Sequence, residues 1–248
     1  MLINRTPLRV SLLGGGTDLP AFFESNDFGR VLSFAISKYV YISIHPLVED
    51  SRILLKYSKQ EFVENYDQLQ HPIARAVLRE LQIKGVDIGI SSDIPSGTGM
   101  GSSSAFTVGF YGLCHAFKGT FSSALDLARM ACKLEIEELN SPIGKQDQYA
   151  CALGGINQID FYPNGSVTAQ PLKIEKEVIA EFERHLLLIR VGKTRSASGQ
   201  LKIQNEILRS RSLSNIEGKY VELRNLVEVG TSVLIKGDFK TLGSLIKQ

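Results

Sequence analysis

Apolar and polar residues alternate in three stretches of the first hundred positions, the period of strands with one buried face. Leu2 to Leu13 is the first, and Pro7 in its middle predicts an edge or interrupted strand. Gly29 to Pro46 is longer and rich in β-branched and aromatic residues: Val31, Phe34, Ile36, Val40, Ile42 and Ile44 are punctuated by serines. It reads as one long strand or two short ones. Val86 to Ile94 is the third, and Ile53 to Tyr57 adds a shorter run. Glu61 to Gln70 is polar and reads as a loop or weak helix. Pro72 then opens a helix to about Gln82, its missing N–H harmless in the first turn. His71 reads as a helix-start residue, since no other His or Cys lies near enough in sequence to suggest a metal site.

The pattern changes after residue 105. Phe106 to Phe117 is apolar on nearly every face, as a buried helix would be. In Ser122 to Asn140, Leu125, Leu127, Ala128, Ala131, Leu134 and Leu139 recur at helical spacing. Gly155 to Tyr162 and Ser166 to Leu172 are strand-like runs joined by Pro163-Asn164-Gly165, and Asn-Gly in that position predicts a hairpin. His185 to Val191 is solidly apolar and reads as a strand. Helices are predicted over Ser198 to Leu213, Ile216 to Ile235 and Phe239 to Lys247.

Composition narrows the class. With 248 residues, 43% hydrophobic and 22% charged, the chain has the make-up of a soluble globular protein of one large or two small domains. A net charge of +2 gives no reason to propose nucleic acid or an anionic membrane as partner. Cys114, Cys132 and Cys151 are odd in number and widely spaced, so they read as small buried apolar residues and not as a disulfide framework or zinc site. The first five residues form no signal segment, and no apolar run approaches the length of a membrane span. The expected compartment is the cytoplasm.

The candidate chemistry lies between the third strand and the buried helix, in Pro95-Ser96-Gly97-Thr98-Gly99-Met100-Gly101-Ser102-Ser103-Ser104-Ala105. Glycines at alternate positions let the backbone bend tightly and approach a ligand. The hydroxyls follow where helix N-terminal N–H groups need partners, and the helix dipole there favours an anion, a phosphate being the natural occupant. An ordinary turn capping a helix explains the same residue types. Two other phosphate loops fail: the dinucleotide fingerprint would need glycine where Ser102 stands, and a P-loop ending in Gly192-Lys193-Thr194 would need glycine where Leu187 stands.

Three further segments bear on the choice. Arg9 lies on the first strand, which runs into Gly14-Gly15-Gly16-Thr17-Asp18. That segment is either a turn beside a surface arginine, or a backbone wall for a substrate whose hydroxyls Asp18 would bind. Glu135, Glu137 and Glu138 sit near a helix C-terminus, where carboxylates are mildly unfavourable. Glu135 shares a stripe with Ala128 and Ala131, so it points inward and needs a partner, for which a magnesium ion would serve. Asp147 opens a new helical turn, either as a cap or as a group brought to the glycine loop.

Together these segments resemble the GHMP kinases, the superfamily of galactokinase, homoserine kinase, mevalonate kinase and phosphomevalonate kinase. Pro95 to Ala105 is similar to its phosphate-binding motif, with Met100 in place of the usual leucine. Pro7-Leu8-Arg9-Val10 through Asp18 resembles its first motif, with glycines replacing a glutamate and a histidine. Glu135 through Gly144 to Asp147-Gln148 resembles the segment holding the magnesium glutamate and catalytic aspartate. The triple glycine and the Gly192–Ser198 segment resemble the branch that phosphorylates D-glycero-D-manno-heptose 7-phosphate.

The resemblance implies a two-domain α+β fold, with a ribosomal-protein-S5-like N-terminal domain over residues 1–180 and the start of a ferredoxin-like C-terminal domain over residues 181–248. It implies ATP phosphates against Pro95 to Ser104, and magnesium (Mg2+) on Ser103 and Glu135. Asp147 would take the proton of the attacking hydroxyl or hold that hydroxyl in line, and Arg9 would offset developing charge. Gly14, Gly15, Gly16, Thr17 and Asp18 would meet the sugar. Arg195, at a basic helix start, would take the phosphate of a small phosphosugar substrate, where a guanidinium fork suits it. Homodimerisation is left open. Nothing after Gly199 resembles the superfamily's third, glycine-rich motif, so an incomplete second domain is expected, and with it a rival reading as a non-catalytic nucleotide or sugar-phosphate binder.

Overall fold

Strand β2 (Gly29–Pro46) runs unbroken for 18 residues, the one-strand form of the two that its sequence allowed. The computed structural model describes residues 1–189, 199, 203–206, 208 and 214–247, and these divide into two compact units that each use part of β2. The first comprises Met1–Arg9, Ile36–Ser141 and Asp147–Leu153; the second comprises Val10–Ala35, Pro142–Gln146 and Gly154–Gln248. β1 (Leu2–Leu13) pairs with β2 and accommodates Pro7 without interruption.

In the first unit, β3 (Ile53–Lys56), β4 (Gln60–Val63) and β5 (Val86–Ser92) extend from β2 in the order β4-β3-β5-β2. β5 is antiparallel to β2, from Val40 opposite Ser92 to Pro46 opposite Val86, and parallel to β3. Alternation along these strands buries Ile42, Ile44, Ile53, Leu55 and Ile88 completely. Against them pack α2 (Pro72–Glu80), with Val77 and Leu78 inside, and α3 (Ser102–Phe117), whose Phe110 is wholly buried. α3 buries ten of its 16 residues, which accounts for a sequence apolar all round. α4 (Ala124–Cys132) continues directly into a π-helical turn at Lys133–Glu138. The polar stretch after Glu61 departs from its prediction: Gln60–Val63 pairs antiparallel with β3, and Tyr66–Gln68 is a 3₁₀ turn. An edge strand needs few apolar residues, so its composition hid it.

In the second unit, β6 (Ile156–Phe161) runs antiparallel to the first part of β2, with Gly29 opposite Phe161 and Phe34 opposite Ile156. β7 (Val167–Pro171) completes the predicted hairpin, closed by Tyr162 N–H to Ser166 C=O at 3.0 Å, with Gly165 at φ +80°. Helices α1 (Pro20–Phe23), α6 (Lys176–Arg184), α7 (Ser214–Ile235) and α8 (Phe239–Ile246) belong here too. Phe182 of α6 packs edge-on against Phe34 at 5.3 Å and against Phe239 at 5.9 Å. α6 was not foreseen, since Val178, Ile179 and Phe182 mark its apolar side within a mostly charged stretch.

The strand predicted for His185 to Val191 does not form over its described part: 186–189 pair with no strand, and Leu187 and Ile189 are 82% and 67% exposed. A run apolar at every position needs cover on both faces, and the described residues supply neither. The helix predicted over Ser198 to Leu213 falls largely outside the described residues. No helix among the described residues is long and apolar enough to cross a membrane.

Candidate active site

The glycine loop joins β5 to α3 within the first unit. Gly97, Gly99 and Gly101 have φ of +78°, +74° and +73°. An L-residue would be strained by roughly 1–2 kcal/mol at each, so the alternation of glycine is dictated by the backbone. Gly101 is the N-cap of α3 and carries no side chain, so the first-turn N–H groups at the positive end of the dipole are not covered by a cap. The serines were expected to cap them. Instead Ser103 and Ser104 donate their hydroxyls to Glu135, at 2.9 and 2.8 Å. Pro95, Ser96 and Gly99 are exposed, Gly97, Thr98 and Ser102 are half-buried, and Met100 packs its side chain against the core. Thr98 Oγ1 donates to the Pro95 carbonyl at 3.3 Å and Arg9 N–H to the Met100 carbonyl at 3.2 Å, which fixes the loop's curvature from within.

Asp147, in the first turn of α5 (Gln146–Leu153), is brought to this loop. Arg9 donates to Asp147 Oδ1 through Nε at 2.8 Å and Nη2 at 2.6 Å, and through Nη1 to the Gly99 carbonyl at 2.9 Å. One guanidinium thus ties the carboxylate to the loop, and both residues keep some exposure, 12% for Arg9 and 27% for Asp147.

Glu135 is 2% exposed, inside the unit as its stripe predicted, together with Ala128 and Ala131. It lies in the π-helical turn, where the widened backbone sends Leu139 N–H to Leu134 C=O at 2.9 Å and Ser141 N–H to Glu135 C=O at 2.9 Å. Such turns mark functional sites often enough to be informative. Burial pushes the Glu135 carboxyl above its ordinary value, while hydrogen bonds from Gln148, Ser104 and Ser103 oppose that. Gln148 was missed by the sequence reading. It is fully buried, donates through Nε2 to Glu135 Oε2 at 2.7 Å, and its Oε1 has no hydrogen-bond partner among the described residues.

In the second unit, Gly14 to Asp18 forms a succession of turns. Two of its glycines are required by the chain's own packing. A Cβ on Gly14 would stand 2.1 Å from the Arg30 carbonyl oxygen, and one on Gly16 would stand 2.7 Å from the Tyr220 ring. Gly15 is exposed, and its closest neighbour would be Ser11 Oγ at 3.2 Å. Thr17 is buried, donating its hydroxyl to the Gly14 and Arg30 carbonyls at 2.8 and 2.9 Å. Asp18 accepts from Gly16 N–H at 3.1 Å and from Gln146 N–H at 3.2 Å, the latter at the first residue of α5. The carboxylate of Asp18 therefore secures the turn that precedes Asp147. Tyr220 was not anticipated, because nothing in its own stretch of helix distinguishes it. Arg195 lies outside the described residues.

These donors suit a magnesium ion. Magnesium takes oxygen ligands, commonly one or two carboxylates with waters and substrate phosphates, so Ser103 Oγ and Glu135 fit it without a larger cluster of acids. No group of three or more His, Cys, Asp or Glu side chains among the described residues could hold a metal. An uncapped helix start on a glycine loop thus lies in one unit with an acid held by serines of the first turn of α3 and another held by Arg9.

Residues 68–155 match the family described as GHMP kinases N terminal domain. The D-glycero-alpha-D-manno-heptose 7-phosphate kinase of Campylobacter jejuni is 28% identical over 256 residues, covering 98% of this chain and 74% of that protein. A galactokinase of Thermotoga maritima is 26% identical over 267 residues, with the same coverage of 98% and 74%. Among solved structures, a D-glycero-D-manno-heptose 1-phosphate kinase from Bacteriodes thetaiotaomicron shares the fold at TM-score 0.72 and 22% identity, covering 98% of this chain and 76% of that one. Residues 68–155 thus match a GHMP kinase N-terminal domain, and the chain has the α+β fold of the kinase structures it resembles.

Proposed function

We propose that this protein transfers the γ-phosphoryl group of ATP to the anomeric hydroxyl of D-glycero-D-manno-heptose 7-phosphate. The hydroxyl oxygen bonds to the γ-phosphorus, the bond to the β-phosphate bridging oxygen breaks, and ADP leaves. The observation that carries this reading is the triangle of Arg9, Asp147 and the Gly99 carbonyl: it fixes an acid at the edge of a loop shaped for phosphate.

In this reading the backbone of Pro95 to Ser104 receives the triphosphate, while Ser103 and Glu135 hold magnesium. When bound, the ion would offset charge on the phosphate oxygens. Asp147 accepts the acceptor's proton or holds its hydroxyl in line, and Arg9 keeps that carboxylate oriented. Gly14 to Asp18 meets the sugar, with Asp18 contacting its hydroxyls, and Arg195 takes the sugar's own phosphate. The heptose acceptor is supported by the triple glycine and by the Campylobacter relative. A galactokinase-like acceptor is the second reading, supported by the Thermotoga relative.

A panel of sugars and sugar phosphates with ATP separates them. Phosphorylation of the heptose 7-phosphate is expected; phosphorylation of galactose or mevalonate without it would overturn the acceptor assignment. Asp147→Asn should lower kcat by about 10²–10⁴ with nucleotide affinity retained, and a rate within about threefold of wild type would remove Asp147 from the chemistry.

A further inference from the structure

Gln148 follows Asp147 in α5, and consecutive helical residues point about 100° apart. Asp147 meets Arg9, whereas Gln148 is wholly buried and meets Glu135. Glu135 Oε2 accepts from Gln148 Nε2 at 2.7 Å and from Ser104 Oγ at 2.8 Å, and Oε1 accepts from Ser103 Oγ at 2.9 Å. Ser104 is 2% exposed and Ser103 is exposed, so Oε1 is the carboxylate oxygen bonded to the more accessible serine. Gln148 and Ser104 hold Oε2, Ser103 holds Oε1, and Thr107 also hydrogen-bonds the carboxylate. The Gln148 amide also has a wholly buried carbonyl oxygen, Oε1, with no partner among the described residues. A buried amide oxygen without a donor is disfavoured, so the Gln148 Nε2 contact with Glu135 is kept against that cost.

We propose that Gln148 is a positioning residue for a divalent cation: its Nε2–H holds Glu135 Oε2 and so sets the carboxylate with Oε1, the oxygen bonded to Ser103, toward the ion. The inference rests on Glu135 being a metal ligand, as proposed above. Magnesium keeps several waters when bound, and groups that hold a ligating carboxylate from behind commonly influence metal affinity about 10–100-fold. A purely structural glutamine, packed only to fill the space behind α3, would leave metal affinity alone.

Mn2+ is the probe, because it accepts the same oxygen ligands and its free form is counted directly by electron paramagnetic resonance. Its binding to the full chain is measured with saturating ADP, and ADP binding is measured separately in EDTA. Variants Gln148→Met, Gln148→Asn and Glu135→Gln are compared with wild type. The expected result is Mn2+ affinity lowered about tenfold or more in Gln148→Met and Gln148→Asn, with metal-free ADP affinity within about threefold of wild type. If Gln148→Met does not fold, Gln148→Asn, which keeps an amide but shortens its reach, decides alone. Wild-type Mn2+ affinity in a folded Gln148 variant, with the affinity lost in Glu135→Gln, would overturn the role of Gln148 and leave Glu135 as a ligand. Equal affinity in wild type and Glu135→Gln would overturn the metal site itself and the inference with it.

Discussion

A Cβ placed on Gly101 would lie 3.4 Å from Asp147 Oδ2 and 3.2 Å from Arg9 Cγ, so the N-cap of α3 and the rim acid share one van der Waals surface. Gly99 has nearly the same φ, +74° against +73°, but a Cβ there would meet nothing within 4 Å. Alanine at either site should lose stability by roughly 1–2 kcal/mol from the left-handed backbone alone. Only Gly101→Ala should also crowd Arg9, and through it the Asp147 carboxylate it holds, lowering kcat beyond Gly99→Ala. Urea melts paired with turnover measurements check this; equal kcat in the two variants would break the link between loop and acid.

Glu135 shows stability given up at a site. Its folded carboxyl titrates above the ordinary value, so the folded state disfavours the ionised form. The sign follows: stability is fullest at acid pH, below the unfolded value, and falls as pH rises through the raised folded value. Glu135→Gln removes that charge, keeps an acceptor for the serines, and should melt higher than wild type at pH about 8 while losing metal-dependent nucleotide binding. Thermal melts at neutral and alkaline pH test the first part.

His71 gives the opposite trend from a structural position. It caps α2 by accepting from Ala74 N–H through Nδ1 at 3.3 Å, with its ring against Tyr57 and Phe106. Burial holds its titration below the ordinary histidine value of 6.5, outweighing the nearby Glu61 carboxylate. Its contribution is therefore present above pH about 6.5 and lost as pH falls through the lower folded value, where a protonated Nδ1 can no longer accept. Wild type should lose about 1 kcal/mol of this cap on acidification. His71→Asn, still a good cap, should lose less over the same range in melts between pH about 7.5 and 5.

Much of this was legible in the sequence because the signals were local. The glycine alternation at 97, 99 and 101 is a backbone requirement, Asn164-Gly165 marks a hairpin, and Glu135 falls on an alanine stripe. What escaped depends on distant residues. Gln148 looks like any helical glutamine until Glu135 is seen beside it. The π-helical turn has no residue signature. The serines were read as caps because that is their commonest local use, and it took a carboxylate 31 and 32 residues away to draw their hydroxyls elsewhere. The exposed run at 186–189 misled for the same reason, since apolarity predicts burial without supplying the cover.

The triple glycine illustrates this. Read as a bare wall, all three positions look alike. In the structure Gly16 has φ +90° and lies against Tyr220, whereas Gly15 is exposed with only Ser11 Oγ within reach. Gly16→Ala should lose about 1–3 kcal/mol or more from strain and overpacking. Gly15→Ala should stay within about 1 kcal/mol of wild type. Urea unfolding of the two variants decides between a packing role and a uniform wall.

In the proposed function the backbone of residues 95–104 holds a nucleotide's phosphates while Glu135 and Asp147 flank them. A crystal structure with magnesium and a non-hydrolysable ATP analogue tests it most directly. The expected result is phosphate oxygens hydrogen-bonded to loop and first-turn N–H groups of α3, the ion on Glu135 and Ser103, and the Asp147 carboxylate facing the terminal phosphate. Phosphates bound away from that loop, or an ion bound with no contact to Glu135, would contradict it.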